Sequence, residues 1–250
     1  MHTSLNSVFL AWQDPLKREW HPVGKLTRNG DHYQFQYTRG AGYSERFTPF
    51  TGMEDLTKVY RSERLFPLFA NRLLSERRPE YKLLLSWLGL EGQNCPLLIL
   101  AKTGGTKSTD NLQVFPEVQQ DTSGSFEFDF FVHGVRYVTD SARARIKTLQ
   151  SGDPLLLMQD IQNPADHQAI AIRTSETPEI VGYCPRYLAK AIHQLIGQRA
   201  DLTLAVNRVN DDAPLYYQLM CTLTVKTEDT KPQCKLFDDE EFKPYSPALR

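Results

Sequence analysis

Three groups of residues in this sequence have types that invite a chemical reading. Gly104-Gly105-Thr106-Lys107-Ser108 has the composition of a phosphate cradle, where glycines bring backbone amides close to an anion and a lysine neutralises it. The spacing does not fit: the GxxxxGK[ST] pattern needs glycine directly before lysine, and Thr106 intervenes. A tight strand-to-strand connection is the better reading. His2, His21, His32, His133, His167 and His193 make no HxxxH or HExxH pattern, and no serine sits in a GxSxG elbow. His193 reads as a helix-face residue and His167 as a turn residue. Cys95, Cys184, Cys221 and Cys234 contain no CxxC pair, so neither a zinc ribbon nor a thioredoxin-type motif is supported. The expectation is a binding protein rather than an enzyme, with no catalytic residues, no metal and no cofactor.

Denser signals lie in the second half. Gly134-Val135-Arg136-Tyr137 places a cation beside an aromatic ring. Asn163-Pro164-Ala165-Asp166-His167-Gln168-Ala169-Ile170 follows, then Val181-Gly182-Tyr183-Cys184-Pro185-Arg186. Each segment also has a purely structural reading. Asn163 and Asp166 make a good turn, since both side chains can bond nearby backbone. Pro185 suits a helix start through its fixed φ. Arg186 can also be read as a solvated first-turn residue, and Tyr137 as core.

These residues need a folded scaffold, and the composition provides for one. The chain has 250 residues, 40% hydrophobic and 24% charged, with 13 Phe, 11 Tyr and 3 Trp, which excludes wholesale disorder. Formal net charge is −1, so no global positive field draws in nucleic acid, and any such contact must be local. No apolar run is longer than Leu97–Ala101, far short of the ~20 residues that span a bilayer. Met1-His2-Thr3-Ser4-Leu5 lacks the features of a signal peptide. Reduced thiols in the cytoplasm and no membrane association are the expectation.

Composition breaks divide the chain. Gln119 to Ser125 is polar or small and predicts a linker at 119–125, between a module at 1–118 and a second at 126–227. The remainder, 228–250, carries Asp238-Asp239-Glu240-Glu241 and several prolines, and reads as an acidic, flexible or edge-packed tail. One expectation for the tail is that Asp238–Glu241 folds over a binding pocket as a DNA mimic.

In the first module, Val8–Trp12, Val23–Thr27 and the alternating Tyr33, Phe35 and Tyr37 predict strands, with a hairpin turn at Asn29-Gly30-Asp31. Phe66, Phe69, Leu73 and Leu74 recur at helical spacing. Tyr81, Leu84, Leu85 and Leu88 do so again after Pro79, with Gly89 as a stop. Strands are predicted at Pro96–Ala101 and Leu112–Phe115. Arg61, Arg64, Arg72, Arg77, Arg78 and Lys82, interleaved with Glu63, Glu76 and Glu80, read as a solvated, salt-bridged helical face. In the second module the spacing predicts strands at Phe126–Phe130, Gly134–Thr139, Pro154–Gln159, Ala169–Arg173, Ile180–Tyr183, Leu202–Val209 and Tyr216–Val225. A single helix is predicted over Pro185–Gly197. The fold class is therefore α+β: an N-terminal β-hairpin and helix module followed by a small antiparallel β-barrel with one capping helix.

The succession from Gly134 to Arg186, with its NPxDxxAI and GYxPR elements, resembles the HIRAN domain over about 126–227. The resemblance implies an OB-like barrel that binds single-stranded DNA and recognises a free 3′ end. It assigns Asp166 to the terminal sugar hydroxyl, Tyr137 to the last base, Arg136 and Arg186 to phosphates, Tyr183 to the pocket border and Asn163 to its loop. The sequence departs from helicase-type members at Tyr183, where they carry histidine, at Val138, where they carry a second tyrosine, and at Ala165, where they carry an aromatic. The second module holds ten Lys/Arg against eleven Asp/Glu, so weak, salt-dependent binding is expected.

Residues 8–116 resemble the N-terminal subdomain of HipA-type kinases, chiefly through Phe66-Pro67-Leu68-Phe69-Ala70-Asn71-Arg72-Leu73-Leu74. No kinase core follows. Together the resemblances imply a non-enzymatic DNA-binding protein in DNA repair, replication or defence. Its partners would be single-stranded or 3′-ended DNA and a helicase, nuclease, kinase or helix-turn-helix protein. The alternative is an interaction module in which the HipA-like half docks a kinase or helix-turn-helix partner.

Overall fold

The structure, a computed structural model, describes residues 5–118, 125–197, 200–226, 237 and 239–245. The expected linker at 119–125 lies outside the described residues except for Ser125, as do residues 228–236, 238 and 246–250 of the expected tail. The chain forms two compact units. Unit 1 comprises Met1–Glu117 and Phe237–Arg250, and unit 2 comprises Val118–Leu236. Unit 2 is thus inserted in the sequence of unit 1.

Unit 1 is built on strands β1 (Ser7–Gln13), β2 (Trp20–Asn29), β3 (His32–Tyr37), β4 (Val59–Ser62) and β5 (Leu112–Pro116). They form an antiparallel sheet in the order β4-β3-β2-β1-β5. Asn29 pairs with His32 across a two-residue turn in which Gly30 takes φ +60°, as the hairpin signal predicts. On the inner face, Val8, Leu10, Leu26, Phe35, Tyr37 and Val114 pack with Phe69, Leu97 and Leu100. Phe35 is central: its ring lies 5.0 Å from Tyr37 and 5.9 Å from Phe69. Burying a side chain of this kind contributes roughly 1.5–3 kcal/mol.

α1 (Pro67–Ala70) and α3 (Pro96–Thr103) contribute to that core, and α2 (Tyr81–Leu88) packs against α3. The helix expected over Phe66–Leu74 shrinks to the single turn of α1. Gly89 ends α2 in the left-handed region at φ +66°, as expected. The strand expected at Pro96–Ala101 is instead α3, with Pro96 in its first turn and Gly104 as its left-handed cap. A short apolar run has no period of its own. Here leucine and alanine, good helix formers, decided the outcome between a proline start and a glycine stop.

The Gly104-Gly105 segment consequently joins a helix to a strand, not two strands. Arg72 occupies it, donating from Nη1 to the Gly105 carbonyl at 2.7 Å and from Nη2 to Asp110 Oδ2 at 2.5 Å, with its side chain 2% exposed. A loop whose carbonyl meets a guanidinium is no anion cradle. Arg72 therefore leaves the expected solvated face, and Arg61 sits on β4, while Arg64, Arg77, Arg78 and Lys82 are exposed.

Unit 2 contains β6 (Phe126–Phe131), a 3-10 turn (Val135–Tyr137), α4 (Asp140–Thr148), β7 (Pro154–Gln159), β8 (Ile170–Thr174), β9 (Ile180–Tyr183), α5 (Arg186–Gly197), β10 (Asp201–Val209), a second 3-10 turn (Leu215–Tyr217) and β11 (Leu219–Lys226). The strands form one strongly curled antiparallel sheet, a half-barrel, ordered β6-β11-β10-β7-β8-β9. Phe128, Leu223, Leu204 and Leu155 stand opposite one another across four strands and line its buried face. The amphipathic α5 buries Leu188, Ile192 and Leu195.

Two expectations for this unit are corrected. Gly134–Thr139 is no strand, because Gly134 at φ +76° turns the chain into the first 3-10 turn. The capping helix is not alone. α4 follows at once, started by Thr139, whose hydroxyl accepts from the Ala142 amide at 3.1 Å, and it buries Ala142 and Ile146. The strand expected to begin at Tyr216 begins at Leu219, after the second 3-10 turn.

The described part of the expected tail belongs to unit 1. There Glu240 pairs with Arg39, in the turn just after β3.

Asp14 pins the loop after β3 to the end of β1. Its buried carboxylate accepts from the Lys17 amide at 3.0 Å, the Leu16 amide at 2.9 Å, Ser44 Oγ at 2.8 Å and Arg46 Nη1 at 3.0 Å. The Lys17 amide is the leading cause that holds its pKa well below the usual carboxylate range, against the opposing effect of burial. A depressed folded-state pKa stabilises at pH values above the unfolded value of about 4, and the contribution fades as pH falls below it. Asp14→Asn is therefore expected to lower the melting temperature at pH 7, with the gap to wild type narrowing below pH ~4 in thermal melts.

Candidate functional site

The site forms where the two edges of the curled sheet meet. β6 and β9 are the outer strands, and just beyond β6 the backbone of His133 pairs with Tyr183. His133 N–H donates to the Tyr183 carbonyl and Tyr183 N–H to the His133 carbonyl, both at 2.9 Å. This contact requires Gly182, which takes φ +143°. A Cβ there would lie 2.4 Å from Val132 Cγ1 and 2.5 Å from the His133 carbonyl oxygen. The His133 ring is solvent-accessible, yet enough protein surrounds it that desolvation pushes its pKa down to about 4.

Tyr183 turns its phenol to Asp160 Oδ2 at 3.0 Å. Burial first, and then the hydrogen bond to Asp160, raises the phenol's pKa, so it remains a donor. The same Asp160 oxygen accepts from Asn163 Nδ2 at 3.1 Å, and the Asp160 amide donates to Ala169 O at 2.9 Å. Asp160 is thus the hub of the 160–169 loop, and no motif in the sequence marked it. Asn163 Oδ1 accepts from the Ala165 amide at 3.0 Å and the Asp166 amide at 3.2 Å, which is the turn-forming role available to it.

Asp166 takes the turn role expected of it. Oδ1 caps the Gln168 amide at 3.0 Å, and Oδ2 faces Arg186 Nε at 3.4 Å. The Asp166 side chain is 23% exposed and that of Arg186 33%, so a ligand can reach both. Arg186, the first residue of α5, also donates from Nη2 to the Ala165 carbonyl at 2.8 Å. His193, on the same helix, sits within 3.1 Å of the Gln168 carbonyl and so ties α5 to the far end of the loop.

Arg136 and Tyr137 stand on the first 3-10 turn, which packs beside β9. A Cβ on Gly134 would meet the Tyr183 ring at 3.2 Å. Tyr137 is not core but 74% exposed, and Arg136 lies over one face of its ring at 4.5 Å from the centroid. The second 3-10 turn lies next to the first. Its Tyr216 is 61% exposed and rests on Tyr217, 4.3 Å between centroids, which in turn packs edge-on against Phe131 at 5.2 Å. The sequence marks Tyr216 only as the start of a strand; the contact between its turn and the turn of Tyr137 joins segments some 80 residues apart in sequence.

The structure therefore gathers the predicted residues into two adjoining sets. Asn163, Asp166, Arg186 and Tyr183 form one through Asp160, and Arg136 and Tyr137 form the other, set against Tyr183 through Gly134. Chemically, the first offers a carboxylate acceptor held by a guanidinium, and the second exposed rings with a cation. Among the described residues no group of three or more His, Cys, Asp or Glu is placed to hold a metal ion.

Comparison with known proteins places these residues in context. A family model, the HIRAN domain, matches residues 125–228. No curated protein matches the chain. Among solved structures, the crystal structure of the HIRAN domain of human HLTF is similar at 20% identity and TM-score 0.32, covering 42% of this chain and 81% of that one. The crystal structure of a protein from Lactobacillus plantarum is similar at 25% identity and TM-score 0.33, covering 40% of this chain and 96% of that one.

Gly182→Ala tests the junction on which the site rests. Added strain and overpacking are expected to destabilise the protein by about 3 kcal/mol in urea denaturation. A loss below about 0.5 kcal/mol would show that the β6–β9 junction yields freely.

Proposed function

We propose, from the HIRAN match at residues 125–228 and the site around Asp166, that unit 2 binds single-stranded DNA and prefers a free 3′-hydroxyl end. The observation that carries this reading is the accessible Asp166–Arg186 pair beside the exposed Tyr137 ring. A terminal 3′-hydroxyl donates a hydrogen bond to the Asp166 carboxylate, which Arg186 and the Gln168 amide hold in orientation. A phosphate at the same position would set negative charge against that carboxylate and be rejected. Tyr137 and Tyr216 supply ring faces for the bases next to the end, where stacking contributes about 1–3 kcal/mol per base. Arg136 and Arg186 meet backbone phosphates, and Tyr183 borders the pocket.

Two phosphate contacts on a single strand give a log–log salt slope of about −1.4, which agrees with a unit whose charges nearly cancel. Nothing in this scheme makes or breaks a covalent bond, so the protein acts by binding. Its setting is DNA repair, replication or defence, where DNA ends are exposed and another protein performs the chemistry. Among the described residues no helix is long and apolar enough to cross a membrane.

Fluorescence anisotropy with matched oligonucleotides tests the reading. The strand ending in a 3′-hydroxyl is expected to bind at least about tenfold more tightly than the same strand ending in a 3′-phosphate, about 1.4 kcal/mol. Asp166→Ala is expected to erase that difference. Equal affinity of wild type for the two strands, or no binding at low salt, removes end recognition.

Tyr137→Ala and Tyr216→Ala are each expected to weaken binding by about 1–3 kcal/mol. Arg136→Ala is expected to reduce the salt slope by about 0.7 in a titration of Kd against salt.

A further inference from the structure

The outer face of the unit 1 sheet carries two phenylalanines, Phe9 on β1 and Phe115 on β5, opposite each other with ring centroids 5.7 Å apart. They point away from the inner core, yet are only 2% and 1% exposed. The C-terminal segment covers them. Phe242 lies 5.0 Å from Phe9, Phe237 lies 5.2 Å from Phe115, and these two rings contact each other at 5.3 Å. After this aromatic pair the segment runs alongside the end of β3. The Arg39 amide donates to the Lys243 carbonyl and the Tyr245 amide to the Tyr37 carbonyl, each at 2.9 Å, while Pro244 bridges Thr38. Tyr245 closes the path against Gly42, and Glu240 pairs with Arg39.

This is how a peptide ligand is held: backbone pairing along a strand end with side chains in pockets. The segment adds no strand to the sheet, and the inner core is assembled from residues before it, with only Tyr245 packing at its margin. Its ion pair is exposed on both sides, at 42% and 55%, and such pairs contribute little.

We propose that the Phe9–Phe115 face of unit 1 is a peptide-docking groove which the chain fills with its own C-terminal segment. A partner protein's aromatic–acidic segment takes the same groove by displacing it. The resident segment, Phe237-Asp238-Asp239-Glu240-Glu241-Phe242-Lys243-Pro244-Tyr245, states the chemistry the groove accepts. Two phenylalanines anchor, Glu240 between them meets Arg39, and a Pro-Tyr end pairs with the β3 terminus. Tethering keeps the resident segment at a high local concentration, so the groove is closed by default and opens to a competitor that binds more tightly or is itself present at high concentration. This inference uses no feature of unit 2 and stands apart from the DNA reading.

The test uses the full-length chain and a fluorescent peptide of residues 237–245. The Phe237→Ala/Phe242→Ala variant is expected to bind the peptide at least about tenfold more tightly than wild type, because its own segment no longer competes. Folded variant without peptide binding overturns the proposal, and so does a variant that fails to fold, since the segment would then be part of the core. Hydrogen exchange on wild type gives a second check. The Arg39 and Tyr245 amides are expected to exchange at least about tenfold faster than those within β1 and β2, and faster again with excess peptide. Exchange of all of them at one rate overturns the proposal.

Discussion

Unit 2 depends on one backbone contact. A six-stranded antiparallel sheet has two edges with unpaired amides and carbonyls, and burying or pairing them is the general problem of such folds. Here the chain just past β6 meets the last residue of β9, and the two hydrogen bonds between His133 and Tyr183 join the edges. Only a residue without a side chain at position 182 permits that approach, because Val132 and the His133 carbonyl occupy the space a Cβ would need. Tyr183 therefore serves two purposes: its backbone closes the curl, and its phenol reaches Asp160. Through Asp160 the closure extends to Asn163, then to the Asp166 turn and Arg186 on α5. The site is a continuation of the junction, and its geometry is only as rigid as the junction itself.

The electrostatic design of the two units differs in purpose. In unit 1 the charges with the most partners are structural. Asp14 gathers two amides, Ser44 and Arg46, and Arg72 is sealed between the Gly105 carbonyl and Asp110. Pairs of this kind tie loops to the sheet and leave no free charge for a ligand. In unit 2 the two guanidinium groups of interest stay within reach of solvent and are oriented by neighbours, Arg136 by the Tyr137 ring and Arg186 by Asp166 and the Ala165 carbonyl. A near-neutral unit has no long-range field to gather a polyanion, so recognition rests on a few oriented groups at short range.

Much of the architecture was legible because it follows local periodicity. The alternation of Tyr33, Phe35 and Tyr37 marked β3, Asn29-Gly30 marked its turn, and the apolar stripe of Leu188, Ile192 and Leu195 marked α5. The failures have equally local causes. Pro96–Ala101 is apolar at every position after the proline, so no period separates helix from strand, and helix propensity between Pro96 and Gly104 decided. Gly134–Thr139 has β-branched and aromatic residues, but the positive φ of Gly134 diverts it. α4 carried a readable signal, Thr139 as cap with Ala142 and Ile146 one turn apart, that the strand reading of the preceding residues obscured.

Taken alone, the sequence determined which short segments could form strands, helices and turns, and it displayed the NPxDxxAI and GYxPR elements that point to a HIRAN domain. Those features depend on residues within a turn or two of each other, where propensity and side-chain reach suffice. The tertiary structure decided the rest. It made Asp160 a hub, brought the turn of Tyr216 next to the turn of Tyr137, paired Asp166 with Arg186 and laid the C-terminal segment on a sheet whose first strand begins more than 200 residues earlier. Each of these is a contact between distant parts of the chain, fixed by sheet order and curl, and no window of sequence contains both of its partners.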